Sequence, residues 1–315
     1  GHVRARRLVI PEGDMHVLYL PSAHASIVEN EKLLAMEGII VEPLPIKDYR
    51  VDTEALAFML RSETVLVSMD AVCGETGVVW NTREVAHLLQ THVGRSTSNM
   101  GERPLLHVDA SQAPLTEKIT RAHFGADLLT FDASKVGAIR GIGALIAHRT
   151  IPLIPLYAGG GQERGLRSGS ESPELARSFA EALSIATRHR EMFRASAEKD
   201  RKILIENIAS TVPNVHIQEG RVQAPQILNL SLPGRDTDYI VALLDEAGFA
   251  ISSRSACETD SEEGSRAVFV LTGDPERARS TLRISWGPHT RPRELSLFAK
   301  ALARAVAFVD NSNQG

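Results

Sequence analysis

The sequence predicts an α/β protein: a large unit on a mostly parallel sheet, followed by a smaller α+β unit. Three observations carry this. Apolar runs of strand length flank a helix-length stretch, at 41–45, 52–61 and 64–69, and that order implies parallel strands joined by a right-handed crossover. Two further runs, at 105–108 and 128–131, stop at Asp109 and at a polar turn carrying Lys135, and open α/β sheets place their ligand-binding groups at such strand ends. The 315 residues, 43% hydrophobic and 23% charged, suffice for a large core and two domains. We place these at 1–190 and 191–315, with the boundary inside a long helix near Arg190.

The opening GHVRARRLVIPEGDM is basic at Arg4, Arg6 and Arg7 and shows no capped helix or hairpin, so the first strand is expected at 16–20, before the turn Pro21-Ser22. His24 follows, and Ile27, Leu33, Leu34 and Met36 are predicted to form the apolar side of a helix. In AVCGETGVVW at 71–80, Cys73 reads as a small buried residue. A helix is expected over 85–93 and a polar loop over 94–103. Ala, Leu and Ile at helical spacing predict a long helix over 171–201. The smaller unit then takes a strand at 227–232, a helix at 237–247, a strand end at 250–252 and a final helix at 295–309.

Composition limits the classes of function. A net charge of −4 gives no reason to expect nucleic acid or an anionic membrane as partner. Cys73 and Cys257 are the two cysteines, so no disulfide framework is expected and the cytoplasm is the natural location. No apolar run has the length of a membrane span, and no signal peptide is read.

DLLTFDASKVGAIRGIGALI, at 127–146, sets Lys135 in a tight turn between two runs expected to be buried strands. A buried ammonium is costly unless paired or neutralised, so this lysine suits imine formation with a carbonyl; the alternative is a solvated loop lysine. Asp109 at its strand end suits a protonated pyridine nitrogen, and Gln112 suits a phenolic oxygen beside it. Pyridoxal phosphate (PLP) asks for that set of groups. The alternative for Asp109 is a helix N-cap.

HVDASQ, GGGQERGLRSGSES at 159–172, SSRSAC at 252–257, SAHASIVEN near Ser22 and LRISWGP at 282–288 follow one another in an order that resembles the class V aminotransferase family of fold type I PLP enzymes, with the cysteine desulfurases (NifS/IscS-like) as the nearest match. The resemblance covers nearly the whole chain. It implies that Lys135 bonds the cofactor and moves the protons at Cα and C4′, that Asp109 and Gln112 serve its ring, and that His24 stacks on the ring face. It also implies Ser134 and Ser170 at the phosphate, Ser170 reaching across a homodimer, and Arg283 on the substrate carboxylate. Cys257, in a predicted mobile loop, would attack the substrate sulfur as a thiolate. The implied reaction turns L-cysteine into L-alanine and a Cys257 persulfide, passed to a sulfur-acceptor or scaffold protein for iron–sulfur clusters or thio-modification.

Alternatives stay open. His24 also reads as a helix-entry histidine, Cys257 as an incidental surface thiol, and Arg283 as half of a surface ion pair. The whole chain also suits another class V enzyme, a transaminase or selenocysteine lyase, or a catalytically silent sulfur-transfer or assembly partner. Three departures from the family motivate the last, and a fourth, Arg254 where a glycine is usual, bears on Cys257 instead. Gly74 stands where a second asparagine is usual and Asp132 where a serine is. The family's N-terminal segment, whose helix grips the phosphate, is expected to be lost, shortened or supplied by another chain. Asp132 would repel a phosphate, so it is expected to turn toward a cation such as Arg140 or to weaken that site.

Overall fold

The computed structural model describes residues 1–9, 15–92, 103–137, 139–253 and 264–312. It begins with a helix, α1 (His2–Val9), where irregular chain was expected. Val3 buries against Met15, Val17 and Ile39, and Glu37 receives Arg4 and Arg7, so this helix is made by partners that are remote in sequence. After β1 (His16–Tyr19) comes α2 (Ala25–Met36), which buries Ile27, Val28 and Glu31. Leu33 and Met36, expected on that face, are exposed. They lie roughly 120° and 180° around the helix from Ile27, so their spacing was never that of one face.

Then come β2 (Ile40–Pro43), a small hairpin of β3 (Ile46–Lys47) and β4 (Arg50–Val51), α3 (Thr53–Met59), β5 (Thr64–Asp70), α4 (Thr82–His92), β6 (Leu105–Asp109), α5 (Arg121–Phe124), β7 (Leu128–Asp132) and β8 (Gly143–Ala147). Six of these strands form one sheet in the order β2-β1-β5-β6-β7-β8. Every neighbouring pair is parallel except β7 and β8. Central β5 is buried at all its residues, as a strand covered on both faces must be. Edge strand β8 exposes Leu145 and Ile146, so the expected pair of buried strands around Lys135 is not formed and Lys135 is itself exposed.

The second part contains α6 (Pro173–Thr211), β9 (His216–Gln218), β10 (Ile227–Ser231), α7 (Thr237–Glu246), α8 (Arg266–Thr272), α9 (Pro275–Arg279), β11 (Thr281–Ser285) and α10 (Pro292–Ser312). An antiparallel sheet, β11-β10-β9, packs under α7, α10 and the far end of α6. The 39 residues of α6 run through both apolar cores: Phe179 joins the one around the large sheet, Leu204 and Ile208 the other. Among the described residues no helix is long and apolar enough to cross a membrane.

Candidate active site

Three parallel strands end side by side at one polar surface. Asp70 on β5 and Asp109 on β6 are register partners, and Thr130 on β7 pairs with Asp109. One step below, His107 lies between Ser68 Oγ (Nδ1, 2.9 Å) and Thr130 Oγ1 (Nε2, 3.1 Å). Burial pulls His107 below the ordinary imidazole range, so the ring is neutral and donates from one nitrogen while accepting at the other. This ladder fixes the strand ends under a cavity of about 340 Å³.

His24, Asp109, Gln112, Lys135 and Arg283 all line that cavity. His24 is also the N-cap of α2, as its helix-entry reading expects. Its Nδ1 accepts the Ser26 amide at 3.2 Å. Asp109 Oδ1 takes the Ser111 amide at 2.9 Å and hydroxyl at 2.6 Å; among the described residues its other oxygen takes no hydrogen bond. Gln112 occupies room that Gly74 vacates, since a Cβ on Gly74 would stand 3.0 Å from its Nε2. Lys135 ends the short 3-10 turn after β7. Arg283, on β11, donates from Nη1 to the Gly74 carbonyl at 3.4 Å, a weak bond that leaves most of the guanidinium available.

A second cavity of about 410 Å³ shares Gly74, Gln112, Lys135 and Arg283 with the first and adds Gln226 and Trp286. Gln226 Oε1 and Trp286 Nε1 are buried without a hydrogen-bond partner.

Two expectations are corrected here. Ser134 lines the second cavity, but its amide and hydroxyl both donate to Asp132, at 2.9 and 2.6 Å, so the donor expected for an anion is engaged by the neighbouring carboxylate. Asp132 has not turned to Arg140: it lines the first cavity and caps the Lys135 turn. Burial pushes its carboxyl up, but the Ser134 bonds and the nearby Lys135 and His24 outweigh this, and it ends below the usual carboxylate range. Ser170 is exposed and lines neither cavity. Cys73 is buried, as expected, and desolvation pushes its thiol up to about 12. Cys257 and Arg254 lie outside the described residues, as do residues 94–102 of the loop expected over 94–103.

Sequence reasoning missed Asp70, Glu75 and Ser265. Asp70 and Glu75 line the cavity; Glu75 accepts the hydroxyl of Ser265, the N-cap of α8, and beside it Arg266 donates to the Pro21 and Ala23 carbonyls at 3.0 Å each.

Comparison with known proteins places this arrangement. The Aminotransferase class-V profile matches residues 4–298. The chain belongs to the class-V aminotransferase family. A mitosomal cysteine desulfurase of Trachipleistophora hominis is 31% identical over 301 residues, 93% of this chain and 65% of that relative. Cysteine desulfurase IscS 1 of Archaeoglobus fulgidus is 28% identical over 294 residues, 92% of this chain and 74% of the relative. Among solved structures, a NifS-like protein matches with TM-score 0.85 at 24% identity, over 97% of this chain and 79% of its own, which shows the fold. DndA from Streptomyces lividans matches with TM-score 0.72 at 28% identity, over 91% and 79%.

Class-V aminotransferases of this fold type I architecture are PLP-dependent. The cavity fits the ring end of PLP: a lysine, a carboxylate with one oxygen open, an amide and an imidazole line the same space. At the phosphate end the fit is poorer, because Asp132 holds Ser134.

Proposed function

We propose that this class-V aminotransferase is a cysteine desulfurase, converting L-cysteine to L-alanine and leaving the sulfur as a persulfide on Cys257. One observation carries the reading: Asp109 at the end of β6, Gln112 and Lys135 in the turns after β6 and β7, His24 at the start of α2 and Arg283 on β11 line one cavity. The names of the relatives support it. This chain spans 65% of the length of the first of them, so activity, substrate and partners are inferred from the site itself.

PLP, when bound, supplies the electron sink that lets bonds at the substrate α-carbon break. Lys135 Nζ takes the α-proton and returns it. Asp109, its carboxylate oriented by Ser111, would hold the ring nitrogen, and the His24 imidazole at the cavity wall would stack on the ring. Arg283 holds the substrate carboxylate in a two-point contact that a lysine would not reproduce. The Cys257 thiolate attacks the substrate sulfur: an S–S bond forms, the C–S bond breaks, its electron pair stays with carbon, and protonation there gives alanine.

The neighbours of Cys257 support its reach into the site. Ser252 pairs with Arg283 through both backbone groups, at 2.8 and 3.4 Å, and Ser265 is held by Glu75 on the cavity wall. Cys257 is the fourth residue after Ser253, a span of at most about 14 Å. We also read the functional unit as a homodimer and its sulfur as destined for an acceptor protein. Leu145, Ile146, Leu156 and Tyr157, exposed on and just after the edge strand, support the dimer.

The deciding experiment measures alanine, sulfide and keto acid from L-cysteine in wild type and Cys257→Ala, with a reductant present. Borohydride reduction and peptide mapping accompany it, to place the pyridoxyl group on Lys135. Alanine and sulfide are expected to vanish in the variant while Lys135 stays labelled. Alanine formation that survives the substitution overturns the desulfurase in favour of a transaminase or lyase, and an unlabelled Lys135 favours the catalytically silent partner.

A further inference from the structure

Asp70 is the most unusual charged residue around the cavity. It ends β5, is 4% exposed, and its Oδ1 is buried without a hydrogen-bond partner. Its register partner on β6 is Asp109. Register partners on neighbouring strands point to the same face, with strands about 4.8 Å apart, so two carboxyl groups share the floor of one cavity. Two carboxylates this close cannot both stay charged at low cost.

The surroundings decide which one keeps the proton. Asp109 is half-buried and its Oδ1 receives two donors from Ser111, which suits the charged form. Asp70 is fully enclosed and no donor reaches its Oδ1, which suits the neutral form. We propose that Asp70 and Asp109 form an acid–carboxylate pair in which Asp70 holds the proton and Asp109 the charge, making Asp70 a positioning residue that sets how strongly Asp109 grips a cationic ring nitrogen.

Charged groups facing Asp70 from other elements agree. Burial first and the Asp109 charge second push the Asp70 carboxyl well above the usual carboxylate range. Glu75, in the turn after β5, pushes the same way; Arg266, on α8, pulls against them without prevailing. The floor therefore carries one negative charge, matched to one pyridinium N–H. The link to the ring nitrogen rests on the cofactor reading above, whereas the shared proton does not.

Infrared spectroscopy at neutral pH tests the proton, on cofactor-free chains that all carry Glu31→Gln because the buried Glu31 carboxyl is itself raised to about 7. The Glu31→Gln chain should show a protonated-carboxyl stretch that disappears when Asp70→Asn is added and shifts when Asp109→Asn is added. Absence of the band in the Glu31→Gln chain, or its survival with Asp70→Asn, overturns the pair. The visible band of the PLP-loaded protein tests the consequence. Asp70→Leu removes the acid and should move that band and its pH profile, while Asp70→Asn, which keeps a neutral polar group of the same size beside Asp109, should restore both. A band that is the same in all three proteins overturns the influence on Asp109. A chain that takes up no PLP defeats the cofactor reading alone, since the infrared result stands apart from it.

Discussion

Ser134 turns its amide and its hydroxyl on Asp132, so a side chain well placed for an anion is already engaged. Removing the carboxylate should free it. In Asp132→Ala we expect PLP to be retained roughly 10-fold more tightly or better, because a hydrogen bond to a charged group contributes about 1.5–3 kcal/mol and a repulsion disappears as well. Equilibrium dialysis reads this directly, and equal or weaker binding would sink it. Glu31 gives a second prediction. It is buried on α2 with Oε2 unpartnered, and desolvation raises its carboxyl from 4.5 to about 7. Its proton is therefore kept in the folded chain and lost in the unfolded one between those values, so stability present below pH 4.5 declines as pH rises toward 7. Glu31→Gln should melt like wild type near pH 4.5 and gain about 2–3 kcal/mol by pH 8. Thermal melts across that range that stay parallel would refute the assignment. That His24, Asp109, Gln112, Lys135 and Arg283 belong together was legible through the motifs that carry the family resemblance, and all five line one cavity. Asp70 was not, because an acid ending a strand looks like any turn residue until its register partner is known.

At the level of elements, the central strands could be read to within a residue or two. β5 is buried at every residue, and the apolar residues of β6 and β7 stop at Asp109 and Asp132, so each strand carries its own end mark. The hairpin β3–β4, the strand β9 and the helices α8 and α9 were missed. Each has seven residues or fewer, too few for periodicity to speak, and each is fixed by what it pairs with or caps. The turn after β5 shows how tight such fixing is. Gly77 has φ +75°, and a Cβ there would stand 2.7 Å from the Ile227 carbonyl oxygen, while one on Gly74 would meet only the movable end of Gln112. Gly77→Ala should therefore cost about 2–3 kcal/mol, and Gly74→Ala less than about 1 kcal/mol. Chemical denaturation of the two variants side by side tests the contrast; equal losses would contradict it.

For the whole molecule, the exposed apolar residues on and after β8 belong to the dimer proposal, in which a partner chain would cover them. Ile146→Glu combined with Tyr157→Glu should shift the protein to monomers in light scattering without loss of helical circular dichroism. A wild type that is already monomeric at the same concentration would overturn the dimer. The boundary proposed near Arg190 falls inside α6, and the two cores exchange more than that helix. Ala224, Ile227 and Ala267 belong to the same apolar cluster as Leu129 and Phe131 of the large sheet. On the ribosome this fixes a waiting time. At about 5–20 residues per second, the sheet residues emerge on the order of 10 seconds before Ala267 arrives to cover them. The newborn large unit thus stands with part of its core open to other chains, and the pace of translation across the second half becomes a determinant of how much protein folds.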